Sequence, residues 1–388
     1  ERTFGLAAER LQAQLAGAQS AEALPQLQRA LSSLWAFRGS ALIVQGKNDQ
    51  ARQLAEQAID LARACGNTGA EAHGYVVQAK ALRRQGHSAQ ARALFEHAAA
   101  LALPTQHASA SVRESQIDTA LIAFNWLCSI ALTEDDYAAA RNYVEQGLSI
   151  CRPLKKRLAE MILRTDLVDI ALARGEYAAA RHHGEAALHL ARSLGYVRIE
   201  NIQKLLLAEV VRLQGEYGYA QELIDQALAA HHTFGDLLGE ANAMNDSGYL
   251  QLLMGNLLGA QAWFDRWEQT LRAAEQLARE SFQGTLRLAL LAHAAGDYAE
   301  ALRYAEAGWR MACQLDGRIS QANALVIVGM AHASLRQLEQ AASAYTQALD
   351  FYVALDHHHK AAEPRAGLAQ IALAQADLPR ARAYAEAI

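Results

Sequence analysis

Asp166 and Asp169, three residues apart, are the first side chains in this 388-residue sequence whose type and spacing suit chemistry. On a helix that spacing puts both carboxylates on one side, as a general acid–base pair requires. On an open, solvated wall, however, such a pair lacks the enclosure that moves carboxylate pKa values apart, so an enzyme is not what they indicate. His357-His358-His359 is the other eye-catching cluster. Adjacent imidazoles diverge, and these lie in a connector where polar residues are tolerated, so they are not read as a metal site. There is no HExxH, CxxC or GxSxG sequence and no Gly-rich phosphate loop. No catalytic residue, metal or cofactor is expected. The basic stretch Arg152-Pro153-Leu154-Lys155-Lys156-Arg157 is short and lacks interleaved aromatics, so it reads as a solvated connector and not a nucleic-acid contact. His182-His183 and His231-His232 fall on helical patterns and read as ordinary exposed or interfacial histidines.

The elements that position these residues are announced by a turn signature recurring about every 40 residues. Its first positions are Gly46, Gly86, Asp135, Gly175, Gly215, Gly255, Gly296, Arg336 and Ala376, separated by 40, 49, 40, 40, 40, 41, 40 and 40 residues. Each is followed by a polar residue, then usually Tyr or Leu, with Ala five places on. The repeat predicts stacked pairs of helices, each pair covering the apolar face of the next. Seven residues before the turn stand Gly39, Ala79, Cys128, Val168, Ala208, Gly248, Ala289, Gly329 and Ala369. A column of small residues is what two closely approaching helices require. Twelve residues after the turn a second small column runs Ala58, Ala98, Gly147, Ala187 and Ala227, then Trp267, Gly308, Ala348 and Ile388. Trp267 is its bulky outlier, expected to splay the packing of repeats 6 and 7. The turn residue is expected to end the first helix (A) in a left-handed conformation, and the next polar residue to cap the second (B). Helices of roughly 15–18 residues, as the repeat allows, run about 23–27 Å.

Composition agrees with an ordered helical chain: 52% hydrophobic residues and only five prolines. A net charge of −5 gives no long-range attraction to nucleic acid or anionic lipid. Cys65, Cys128, Cys151 and Cys313 are far apart and suggest no disulfide framework, which suits a reducing cytoplasm. No apolar run reaches the ~18 residues of a membrane span.

The small-residue columns and the Gly-Asp/Glu-Tyr-x-x-Ala turn resemble the tetratricopeptide repeat (TPR), and Trp35 falls on an aromatic position of that motif. The resemblance covers residues 26–388, with units of 40 residues instead of 34 and without the Pro that usually closes a unit. Two stretches are similar to the MalT-like TPR regions of bacterial STAND ATPases: Gly39-Ser40-Ala41-Leu42 through Gln45-Gly46 to Ala58-Ile59-Asp60-Leu61-Ala62, and Arg365-Ala366-Gly367-Leu368-Ala369-Gln370-Ile371-Ala372 through Leu378. The resemblance implies an all-α, right-handed TPR-like α-solenoid superhelix of about nine repeats. It also implies a sensor array that follows an ATPase module, which would lie upstream of this segment. Residues 1–25 read as an N-terminal packing helix or partial repeat. The pattern stops mid-repeat at Ile388, as in a piece of a longer protein.

In such an array helix A faces the concave side, and its polar stripe becomes the candidate ligand groove. That stripe holds Lys80, Arg83 and Arg84, then Asn125 and Trp126, then Asp166 and Asp169, then Glu209 and Arg212. It continues with Asn242, Asn245, Asp246 and Tyr249, then Arg287 and Asn323. Asn side chains both donate and accept, so Asn125, Asn242, Asn245 and Asn323 suit the backbone of an extended peptide. The basic start and acidic continuation suit a ligand with charges of both signs. The reading is a non-catalytic sensor domain of a STAND-type signal-transduction and transcription regulator, binding a peptide, protein or small inducer, with no nucleic acid or membrane partner. The alternative is a stand-alone TPR scaffold or adaptor. The nine extra residues between repeats 2 and 3, around 103–111, read as a longer loop capped at Ser111 with Glu114 three residues later, or else as a contact loop.

Overall fold

The computed structural model describes residues 2–17, 23–103, 110–273, 282–314, 317–355 and 357–388. Its elements are α-helices, with no strand among the described residues. The N-terminal helix α1 (Arg2–Gly17) packs on α2. Helix pairs follow: α2 (Ala23–Val44) with α3 (Asn48–Cys65), α4 (Thr68–Arg84) with α5 (Ser88–Ala102), α6 (Ala110–Thr133) with α7 (Tyr137–Cys151), and α8 (Arg157–Ala173) with α9 (Tyr177–Leu194). Next are α10 (Val197–Leu213) with α11 (Tyr217–Phe234), α12 (Leu237–Leu253) with α13 (Leu257–Ala273), and α14 (Phe282–Ala294) with α15 (Tyr298–Gln314). The last are α16 (Arg318–Ser334) with α17 (Leu338–Ala354), and α18 (His358–Ala374) with the short α19 (Leu378–Glu386). The fold is an all-α, TPR-like α-solenoid of paired helix-turn-helix repeats.

The chain forms two compact units: residues 1–132 with 137–166, and residues 133–136 with 167–388. The first is organised around Phe95, Leu127 and Ile130, all at most 1% exposed. The second has successive cores, including Leu207 with Leu250, Phe264 with Leu291, and Leu325 with Tyr345. Each such apolar side chain contributes about 1.5–3 kcal/mol when fully buried.

The nine turn positions all adopt positive φ, including the non-glycines Asp135 (58°), Arg336 (62°) and Ala376 (59°). At Gly175 (φ 72°) the carbonyls at the end of α8 are closed by Glu176 N–H to Ala171 O at 2.8 Å and Gly175 N–H to Leu172 O at 3.1 Å. The capping expectation holds only in part. Asn256, Asp297 and Asp377 accept from the backbone N–H three residues on. Lys47, His87, Glu176, Glu216 and Gln337 make no such bond, because only a short side chain carrying an acceptor folds back onto the first turn.

The small columns have steric causes. A Cβ at Gly39 would lie 2.9 Å from Val77 Cγ1, and one at Gly147 would lie 2.7 Å from Leu163 Cδ1. Trp267, the outlier, is 5% exposed, and its bulk is taken up across the joint by Gly284, where a Cβ would come within 2.3 Å of the indole. Of the longer loop expected between repeats 2 and 3 around 103–111, residues 104–109 lie outside the described residues. Helix α6 begins at Ala110, so Ser111 is already helical and not the cap, while Glu114 pairs with Lys156 at 2.9 Å. Within α6, Arg113–Thr133 has the length and mean hydropathy (1.2) of a membrane span, against the sequence expectation. Of its apolar 18-residue window, 61% is buried inside the protein, as in a core helix.

Candidate functional site

In the first unit the candidate stripe gathers around one indole. Trp126 on α6 stacks parallel to Phe95 with centroids 5.9 Å apart. Arg83 and Lys80, one turn apart on α4, lie 4.8 and 5.7 Å from the indole. Arg83 Nη2 donates to Ser129 Oγ at 3.0 Å, and Arg84 donates to the Ile43 carbonyl. None of these three cations is ion-paired among the described residues. Burial lowers the Lys80 pKa, with Arg84 adding repulsion, and burial lowers that of Arg83. His73, facing Ser40 Oγ at 3.0 Å, is held down at about 4 by burial and then by Lys80. Such a wall favours an anion, because a negative group would relieve both repulsion and desolvation. Asn125 on the same stripe donates to Asp166 Oδ2 at 3.1 Å.

In the second unit a cleft of about 330 Å³ lies along α10 and α12. It brings together five of the sequence-derived residues: Glu209, Asn242, Asn245, Asp246 and Arg287, with Gln283 beside them. Asn242 is exposed, whereas Asn245 is 5% exposed and its Nδ2 has no hydrogen-bond partner. Arg287 donates to Asn245 Oδ1 and, at 2.8 Å, to Asp246 Oδ1. Arg212 and Arg287 lie over the Tyr249 ring at 4.8 and 4.7 Å. The expected acidity is therefore partly spent internally: Asp246 belongs to Arg287, and Glu209 has Arg212 at 3.8 Å.

Asp169 keeps a solvent-reachable carboxylate within a crowded wall. Burial, and then Glu209, raise its pKa to about 6. Asn323 is engaged elsewhere, accepting from Tyr352 Oη at 2.7 Å and Lys360 Nζ at 3.5 Å. Lys360 itself was not picked out from the sequence. Burial lowers its pKa, against the opposing pull of Glu209, Glu363 and Asp135, all in the same unit. Its coupling to Glu209 is invisible in its own repeat, because Glu209 lies four repeats earlier.

Other sequence candidates take structural roles. Lys156 pairs with Glu114 and Asp118 at 2.9 Å each, so the basic connector joins helices. His357 is 1% exposed beside Tyr352, while the side chains of His358 and His359 lie outside the described ones. Among the described residues no three His, Cys, Asp or Glu side chains gather as a metal group.

No protein-family profile and no curated protein matches this chain. Solved structures do. A signal transduction ATPase with numerous domains and a tetratricopeptide repeat sensor, from Pyrococcus horikoshii, aligns with a TM-score of 0.52 at 12% identity, over 85% of this chain and 48% of that one. The chain thus spans about half the length of that protein. The apo quorum sensor NprR from B. thuringiensis aligns with a TM-score of 0.61 at 11% identity, over 91% of this chain and 96% of that one. A Rap protein complexed with Competence and Sporulation Factor gives 0.59 at 15% identity, over 92% and 99%. At these identities the likeness is one of fold.

Proposed function

We propose that this chain is a non-catalytic, ligand-sensing domain that binds an extended peptide, as the sensor of a bacterial STAND-type regulator. The observation that carries this reading is the cleft along α10 and α12, where the buried Asn245 Nδ2 has no acceptor and Asn242 stands exposed beside it. A buried amide donor without a partner is costly, and a peptide carbonyl supplies the missing acceptor. Asp169, coupled to Glu209, offers negative charge to a basic side chain. Taken by itself, the first unit offers an acidic group a place at Lys80, Arg83 and Arg84. The likeness in fold to a STAND protein with a TPR sensor, to a quorum sensor and to a Rap protein complexed with Competence and Sporulation Factor supports the reading.

Affinity selection from a randomised heptapeptide library on the immobilised chain is the test. Enriched peptides should lose about tenfold in affinity on Asn242→Ala, as expected for one lost peptide hydrogen bond. A library that yields no enriched sequence, or enriched peptides indifferent to Asn242→Ala, contradicts the reading.

A further inference from the structure

The joint between α10–α11 and α12 holds a second cavity, of about 410 Å³, lined by Val197, Arg198, Asn201, His231, Phe234 and Asp236. Two of these side chains are almost wholly buried, Asn201 at 1% and His231 at 2% exposed. Each has one polar atom without a hydrogen-bond partner: Nδ2 of Asn201 and Nε2 of His231. Their other polar atoms are committed. Asn201 Oδ1 accepts from Lys204 Nζ at 3.2 Å, and His231 Nδ1 meets Asp236 Oδ2 at 3.2 Å. An ionised carboxylate only accepts, so Nδ1 carries an imidazole hydrogen, and in the neutral ring Nε2 presents a lone pair. The wall of the cavity therefore holds one unused donor and, with the imidazole neutral, one unused acceptor.

An equivalent joint in the same chain shows how this position is otherwise closed. Ser32 and Asn67 stand 35 residues apart, as do Asn201 and Asp236, with Arg29 and Arg198 each three residues upstream. There Asn67 Nδ2 donates to Ser32 Oγ at 3.1 Å, to Ser33 Oγ at 3.0 Å and to the Arg29 carbonyl at 3.0 Å, so the joint satisfies itself. Asp236 brings no donor and is occupied by His231 and by the Gly239 N–H. His231 also breaks a column that reads Ala62, Ala102, Cys151 and Ala191 in the preceding repeats. Gly239 makes room for it, since a Cβ there would lie 2.1 Å from the ring.

We propose that this joint is a binding site for a small amide-bearing amphiphile, a primary carboxamide or lactam on an apolar body. The ligand carbonyl accepts from Asn201 Nδ2 while its N–H donates to His231 Nε2. Its apolar body lies against Val197 and Phe234, which are 45% and 64% exposed at the rim. A carboxylate fits less well, because Arg198 already faces Asp236 at 3.4 Å and the Asp236 charge adjoins the cavity.

Benzamide is the probe, titrated into the whole chain with the His231 imidazole nitrogens followed by long-range ¹H–¹⁵N NMR, and benzoate is the matched control. The expected result is a saturable shift of Nε2 with benzamide and a weaker response to benzoate. In calorimetry, His231→Ala, which restores the residue found in other repeats, and Asn201→Leu should each weaken benzamide by about tenfold, with the helical circular dichroism retained. No shift up to the solubility limit of benzamide, meaning a cavity that holds water alone, overturns the proposal. So does benzoate binding at least as tightly, or benzamide affinity unchanged in a folded His231→Ala variant.

Discussion

The guanidinium of Arg287 lies 4.7 Å from the centre of the Tyr249 ring while donating to Asp246, three residues before that tyrosine on α12. Arg212, from the preceding repeat, lies over the same ring at 4.8 Å. One aromatic side chain thus ties together the A helices of three successive repeats and holds Arg287 against Asn245. Removing the ring takes the aromatic face from both cations. Tyr249→Leu is expected to destabilise the chain by about 1–2 kcal/mol and to weaken peptide binding beyond that of a surface substitution. Urea unfolding together with titration of a selected peptide checks both effects.

The Asp169 carboxylate titrates near 6 in the folded chain, above the ordinary value of 3.8. Between those values the folded state holds more protons than the unfolded one, so this residue makes stability fall as pH rises through the window. Asp169→Asn should leave the melting temperature unchanged at pH 4 and raise it by about 2 °C at pH 7.5, a modest gain because the carboxylate is partly solvated. A melting curve series across that range is the measurement, and a variant less stable than the parent at pH 7.5 would sink the assignment.

His73 gives the opposite window. Its pKa is depressed from 6.5 to about 4, so the folded chain keeps the imidazole neutral while the unfolded chain protonates it. Stability from this group is complete above pH 6.5 and is lost as pH falls towards 4, by roughly 3 kcal/mol in all. His73→Phe should flatten that acid limb of the stability profile and leave its neutral plateau nearly in place.

Trp267 and Gly284 are matched in volume across a joint. Gly284→Ala should cost about 1–3 kcal/mol by overpacking, and a second change, Trp267→Leu, should recover part of that loss. A double-mutant cycle showing simple additivity would contradict the matched packing.

The fold was legible because its determinants repeat. Nine turn residues and two small columns each recur at fixed offsets, and the turn conformation holds even where Asp135, Arg336 and Ala376 replace glycine. Helix capping was less legible, since Glu176 and Glu216 share the turn position with Asp297 but have a side chain too long to cap the same way. Of the candidate site, the stripe on helix A identified Asn242, Asn245 and Arg287, but not which charges are already spent. That Arg287 occupies Asp246, or that Tyr352 and Lys360 occupy Asn323, depends on side-chain reach between helices about 30 to 40 residues apart. Lys360 was missed because nothing in its local pattern announces its surroundings, and His231 reads as an ordinary exposed or interfacial histidine until it is set against the Ala and Cys of the same column in earlier repeats.

If the cleft of α10 and α12 reads peptide backbone, then methylating the ligand's amide nitrogens should matter more than changing its side chains. The decisive measurement is calorimetric titration of one selected peptide alongside analogues N-methylated one residue at a time. At least one analogue should bind about tenfold or more weakly to the parent chain, and that loss should shrink in Asn242→Ala. Equal affinity for every N-methylated analogue would contradict backbone recognition by this cleft.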